Sequence, residues 1–301
     1  MVNTFLLVVG FIILIKGADL FVDGASGIAN SLKIPKMLVA LTIVAFGTSM
    51  PEFAVSMRAL TLGDGDIVLG NVIGSNIINI LLILGISVSI DHLDVKTSTI
   101  KKELPITIIF TIIFSLLLIN NISRIDGIIL LLVFSIFLYY LVFRNKEVED
   151  KQEIKINKTI IFTIIGLIGI IIGSNFVVNK AISIATYFNV SERLISLSII
   201  SFGTSLPELI TSISASIKKE YDIAIGNVLG SNIFNMGIVI GFPIAIFGGI
   251  EKVNYSYIDL LVMVISIVLL FIFSYNKKIS RKEGLIFILI FIIYYSYILI
   301  S

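Results

Sequence analysis

Gly47-Thr48-Ser49-Met50-Pro51-Glu52 returns as Gly203-Thr204-Ser205-Leu206-Pro207-Glu208, and Gly70-Asn71-Val72-Ile73-Gly74-Ser75-Asn76-Ile77-Ile78-Asn79 returns as Gly226-Asn227-Val228-Leu229-Gly230-Ser231-Asn232-Ile233-Phe234-Asn235. The copies stand about 156 positions apart, and across residues 17–86 about 27 of roughly 70 positions are identical without a gap. The chain is an internal duplication. Both copies lie in long apolar stretches, where proline removes a backbone hydrogen bond and a glutamate is expensive to dehydrate. Something must offset that cost, and a bound cation is the natural candidate.

With 57% hydrophobic and 14% charged residues and a mean hydropathy of +1.09, the chain cannot present the polar surface of a water-soluble globule. It reads as an integral membrane protein. A helical crossing needs about 20 apolar residues, which marks ten stretches near 3–30, 36–61, 66–90, 103–120, 125–143, 159–188, 193–217, 222–248, 256–275 and 283–300. There is no cysteine, which excludes disulfides, thiolate metal sites and cysteine nucleophiles. The single histidine, His92, sits between Asp91 and Asp94 in a short connection and reads as a solvated loop residue rather than a ligand. A net charge of +2 with scattered basic residues gives no reason to expect nucleic acid. Residues 1–15 hold no Lys or Arg and no small-residue cleavage site, so they read as a retained helix rather than a signal peptide.

The fold class that follows is an all-α integral membrane protein of ten transmembrane helices, arranged as two inverted five-helix repeats. Residues 1–143 form the first repeat, 144–158 a linker and 159–301 the second. Five crossings is an odd number, so the second copy must enter the membrane from the opposite face. Charge gives an independent test. Connections after the odd-numbered stretches hold most of the lysines, among them Lys33, Lys36, Lys96, Lys101, Lys218 and Lys277. The other side has little beyond Arg58, Arg124, Arg193 and Lys252. By the positive-inside rule both termini face outward and the linker is cytoplasmic, with the protein in the cell membrane. The linker is short and mixed in charge, and reads as a solvated hinge.

Inversion brings Glu52, Glu208, Asn79 and Asn235 to one depth, within roughly a turn or two of the midplane at about 1.5 Å per residue. A carboxylate there costs about 2.5–3.5 kcal/mol, and two close together also repel. Either they share a cation or at least one holds a proton. Thr48 with Glu52, Ser75 with Asn79, Thr204 with Glu208 and Ser231 with Asn235 each stand four apart, so each pair presents two oxygens along one helix face. Pro51 and Pro207 should release carbonyls around Ala45 to Gly47 and Ser201 to Gly203. Glycines 70, 74, 226 and 230 should let neighbouring helices approach closely. Every ligand on offer is an oxygen, which suits sodium or calcium and not zinc or copper. Other acids are weaker candidates: Asp19 and Asp23, with Lys16 nearby, fit local pairing, the favoured reading, or a cytoplasmic vestibule, and Asp66 and Asp222 fit complements to helix N-termini, which suffices, or attraction of cations to an entrance.

In the paired GTSxPE and GNVxGSNxxN segments the chain resembles the sodium/calcium exchanger family of the calcium/cation antiporter superfamily, prokaryotic type. That resemblance implies a core of the second, third, seventh and eighth helices around the ions, with long tilted first and sixth helices sliding across it. It implies Glu52 and Glu208 as shared carboxylate ligands of calcium and sodium, and Asn79 and Asn235 as midplane amides. Thr48 and Thr204 would add hydroxyl or carbonyl oxygens, Ser49, Ser205, Ser75 and Ser231 flanking sodium ligands, and Ala45 and Ser201 backbone carbonyls. Potassium-dependent relatives have aspartate at the place of Asn235, so the amide looks more like the potassium-independent type. The expected activity is sodium/calcium antiport by alternating access, with Na+ and Ca2+ as transported ions, no cofactor, and no obligate protein partner. The alternative keeps the fold and couples calcium to protons or potassium. An intramembrane enzyme using the two glutamates as acid and base lacks a histidine or thiol partner in the helices, and a channel would pass uncoupled current.

Overall fold

The computed structural model describes residues 2–119, 121–144, 156–188, 201–250 and 256–300. Most of the linker, the start of the seventh stretch, Arg193 and Lys252 lie outside the described residues. A chain this apolar must satisfy its backbone internally, and it does so with helices at nearly every expected stretch. The first is α1 (Val2–Leu32). The second crossing is broken into α2 (Lys36–Val39), a π-helical turn (Ala40–Val44), α3 (Ala45–Thr48) and α4 (Met50–Thr61), its two halves bent by 48°. The third runs through α5 (Gly65–Ile77), a π segment (Ile78–Leu84) and α6 (Gly85–Ile90). A two-residue strand β1 (Leu93–Asp94) and α7 (Thr97–Lys101) lead to α8 (Glu103–Leu117) and α9 (Arg124–Arg144).

The second repeat follows the same plan. It consists of α10 (Ile156–Tyr187), α11 (Ser201–Thr204), α12 (Leu206–Ile217), α13 (Tyr221–Phe234), a π turn (Asn235–Val239), α14 (Gly241–Phe247), α15 (Tyr257–Ser274), β2 (Lys278–Ile279) and α16 (Arg281–Ile300). Six described helices are long and apolar enough to cross a membrane alone, and the bent pair makes a seventh. The helical breaks in the second and seventh crossings recur at the same place, Ser49 (φ −85°, ψ 8°) and Ser205 (φ −87°, ψ 6°), each one residue ahead of a helix carrying proline in its first turn.

The inversion is visible in the loops. β1 and β2 pair antiparallel with Asp94 opposite Lys278, joining the connections after the third and ninth crossings. At the opposite end Ile122 bridges Ile250, joining the connections after the fourth and eighth. Ile250 is the counterpart of Asp94, and Ile122 that of Lys278, so the same loop pairing occurs once on each face. These short strands are the one departure from an all-helical chain among the described residues.

The lysine-bearing connections meet on one face. Lys36 pairs with Glu220 at 2.5 Å, Lys96 with Asp222 at 2.9 Å and Lys218 with Asp23 at 2.7 Å. Asp19 and Asp23 therefore do pair, but across the repeats rather than with Lys16. The Ser214 hydroxyl donates to Asp19 Oδ1 at 2.7 Å, and Lys218 Nζ donates to the Asp19 carbonyl oxygen at 2.7 Å. Local sequence could not reveal this, because the partners lie 195 residues or more apart in the chain. His92 stands beside Asp91, 3.0 Å from its carboxylate, as a loop residue should. The Tyr221 hydroxyl donates to Asp91 Oδ2 at 3.0 Å and, against partial desolvation, holds that carboxyl below the usual aspartate range with help from His92 and Arg281.

α1 and α10 pack against each other along their length on small residues. A Cβ added at Gly17 would lie 2.7 Å from the Ile170 nitrogen, and one at Gly173 2.5 Å from the Leu14 nitrogen, so only glycine permits this approach. On the core side, Gly226 and Gly230 admit the second crossing, with an added Cβ at Gly230 falling 2.7 Å from Ala45 Cβ. For Gly70 and Gly74 an added Cβ would meet no described atom within 4 Å, and residues 193–200, which match the stretch that Gly226 and Gly230 touch, lie outside the described residues. The close approach is seen at Gly226 and Gly230.

Candidate functional site

The four broken or widened helices converge on a cluster of buried polar groups. Glu52 is 0% and Glu208 1% exposed, and Asn79, Asn235, Thr48, Ser49, Ser205, Ser75 and Ser231 are all buried with them. Thr204 is half-buried, and its hydroxyl lies against the Glu52 carboxylate. The two carboxylates are held crosswise. Ser49, just before Pro51 in the first repeat, donates to Glu208 Oε1 at 2.9 Å, and Ser205 donates to Glu52 Oε1 at 3.2 Å. Each serine sits at its helix break, where the chain is free of regular helical geometry and can aim the hydroxyl at the other repeat.

Further contacts tie the third and eighth crossings to the site. The Asn79 amide donates to Asn232 Oδ1 at 2.9 Å, and the Asn235 amide donates to Ser75 Oγ at 2.9 Å and to Asn76 Oδ1 at 3.3 Å. The Thr48 hydroxyl donates to Asn227 Oδ1 at 3.0 Å, and Ser231 donates to Glu208 Oε1 at 3.4 Å. Both Asn79 and Asn235 lie in π-helical turns, where a widened backbone displaces a side chain from the regular face. One expectation is corrected. Ala45 is not released from the ladder, because its carbonyl accepts from the Ser49 N–H at 3.0 Å. The helix runs on to Thr48 before it breaks, so the acceptor deprived of a donor is Gly47, four residues before the Pro51 nitrogen. Ser201 lies in the short helix α11 in the matching place.

Sequence reasoning passed over a second layer. Asn71 donates to the Glu52 carbonyl oxygen and to Ser56 Oγ, both at 3.0 Å. Asn227 repeats this with the Glu208 carbonyl oxygen at 3.3 Å and Ser212 Oγ at 2.9 Å. Asn76 and Asn232 link the third and eighth crossings. A usable signal existed, since all six residues are polar, embedded in apolar helices and identical in both copies.

After these contacts, each of the two glutamates and the two asparagines keeps one buried oxygen with no hydrogen-bond partner: Glu52 Oε2, Glu208 Oε2, Asn79 Oδ1 and Asn235 Oδ1. A buried acceptor left alone costs about 1–3 kcal/mol, more when charged. All four are acceptors, carried by the broken and widened crossings, and such a set suits a cation with oxygen preference. No cluster of three or more His, Cys, Asp or Glu side chains occurs among the described residues, so the site is built from two carboxylates supplemented by neutral oxygens.

The model of the sodium/calcium exchanger protein family matches residues 2–143 and 158–300. The chain belongs to that family. It is 36% identical over 318 residues to the putative antiporter CaxA of Alkalimonas amylolytica, covering 100% of this chain and 99% of that one. It is 27% identical over 342 residues to the sodium/calcium exchanger MaX1 of Methanosarcina acetivorans, covering 97% of both. Among solved structures it superposes on the sodium-calcium exchanger NCX_Mj with a TM-score of 0.90 at 32% identity, covering 98% of each chain. The protein is therefore a multi-pass membrane cation/calcium antiporter of the sodium/calcium exchanger family, a transporter and not an enzyme.

Proposed function

We propose that the protein exchanges sodium for calcium across the cell membrane, by alternating access to the site around Glu52 and Glu208. The observation that supports this reading is the set of four partnerless buried oxygens, one carboxylate and one amide from each repeat. Two carboxylates balance one calcium ion or two sodium ions, so the two cargoes compete for the same charge. Ligands come from both repeats and from neutral oxygens as well: Thr48, Thr204, Ser49, Ser205, Ser75 and Ser231 through hydroxyls, with Ser201 through its carbonyl and Ala45 through the lone pair its carbonyl keeps beside the bond from the Ser49 N–H. The lysine-bearing face is cytoplasmic on this reading and both termini are outside.

Radiocalcium uptake into sodium-loaded proteoliposomes tests it. Wild type should accumulate calcium down an outward sodium gradient, and both Glu52→Gln and Glu208→Gln should lose nearly all uptake. Uptake that follows an imposed pH or potassium gradient but ignores sodium would replace the coupling ion. Normal sodium-driven uptake in either glutamine variant would end the site assignment.

A further inference from the structure

An asparagine can coordinate a cation only through its oxygen; turned by half a rotation, it offers the ion an NH2 group with the wrong polarity. The two amides of this site must therefore be held one way round. Asn79 is held through Asn232. The Asn232 amide nitrogen donates to the backbone oxygen of Asn76 at 3.2 Å, and a backbone carbonyl only accepts. Asn232 consequently cannot flip without setting oxygen against oxygen. Its Oδ1 must face Asn79, whose amide nitrogen donates to it at 2.9 Å, and Asn79 Oδ1 is left pointing where no protein group meets it.

Asn235 is held by a parallel chain. The Ser75 hydroxyl gives its proton to the backbone oxygen of Val72 at 3.2 Å, so a lone pair faces the Asn235 amide, which donates to it at 2.9 Å. Asn76 Oδ1 accepts from the same nitrogen at 3.3 Å. Both chains begin at a backbone acceptor in the third crossing and end at a partnerless amide oxygen. All of these side chains are buried, so water does not compete for the bonds.

We infer that Asn232, with Asn76 as its counterpart, is a positioning residue that fixes the amide orientation of Asn79 and Asn235 and so sets the affinity of the site for cations. The inference rests on the reading of Asn79 and Asn235 as ligands. Asn232 itself touches no ion; it acts through Asn79.

A double-mutant comparison of half-saturating calcium in proteoliposomes tests it. Asn232→Ala in the wild-type background should raise that concentration by about 10–100-fold, the usual cost of losing a group that orients a metal ligand. In an Asn79→Asp background the same change should shift it less than about twofold, because a carboxylate presents an oxygen either way round. An Asn79→Ala background, which adds no charge, should also make Asn232→Ala nearly silent, and it serves if the aspartate variant fails to reach the membrane. If Asn232 merely braces two helices, its loss costs the same in every background, and that result would overturn the inference. If Asn79→Ala alone leaves half-saturating calcium unchanged, the ligand reading itself fails and the inference falls with it.

Discussion

The serine before each proline does two jobs: it ends one helix and reaches across the pseudo-two-fold to the glutamate of the other repeat. Losing either hydroxyl removes the donor that reaches a buried carboxylate from the other repeat's helix break, yet leaves the charge in place. Ser49→Ala and Ser205→Ala are therefore expected to raise half-saturating calcium by about tenfold or more while sodium-driven uptake persists. Calcium titration of uptake would show it, and unchanged half-saturation in both variants would refute the crosswise arrangement. Glu52 and Glu208 were legible in the sequence because a charge beside a proline is anomalous in an apolar stretch. Asn71, Asn76 and their counterparts were harder to rank, because an asparagine in a membrane helix is commonly a packing hydrogen bond. What singles them out is the identity of the group they hold, and that group is known only from contacts.

Among elements, the broken second crossing is the one the sequence described best. Pro51 placed the break within two residues, and the observed bend of 48° follows from the lost i to i+4 bond. The π turns at Ala40–Val44, Ile78–Leu84 and Asn235–Val239 carry no such signature, because a widened turn is kept by the packing around it rather than by a residue type. Glycine packing likewise depends on contacts that only the folded chain supplies. Gly230→Ala would drive a methyl group into Ala45 Cβ and the Leu41 backbone. Gly230→Ala should lower the thermal stability of purified protein by about 1–3 kcal/mol equivalent, the usual cost of overpacking. Melting of this variant at the wild-type temperature would contradict the close approach.

At the scale of the whole molecule the two repeats share a plan and differ in state. Ala25 and Ala29 of α1 are buried against the seventh and eighth crossings, while their counterparts Ala181 and Ala185 in α10 are half-exposed. Ile223 is 0% exposed and its counterpart Ile67 49%. The lysine-bearing side is thus closed by α1 and stitched by Lys36–Glu220 and Lys218–Asp23, and the opposite side is open alongside α10. The counterparts of Lys218 and Asp23 are Leu62 and Asn179, so that ion pair has no equivalent on the open side. Since the chain has no native cysteine, single cysteines report cleanly. Ala181→Cys should react with a membrane-impermeant maleimide added on the side opposite the lysines, and Ala25→Cys should stay protected from reagent on either side. Rapid labelling of Ala25→Cys with Ala181→Cys protected would mean the reverse state prevails.

Sequence alone determined the duplication, the membrane setting, the inversion and the two glutamates, because each depends on composition, parity or a residue out of place in its surroundings. It could not choose which side of the molecule is shut. Two copies that agree at Ala25 and Ala181 are equally fitted to the closed and open positions, and only packing, which lets one of two like surfaces be covered at a time, breaks the tie. The orientation of the site amides was settled in the same way, by backbone acceptors that no linear pattern brings together.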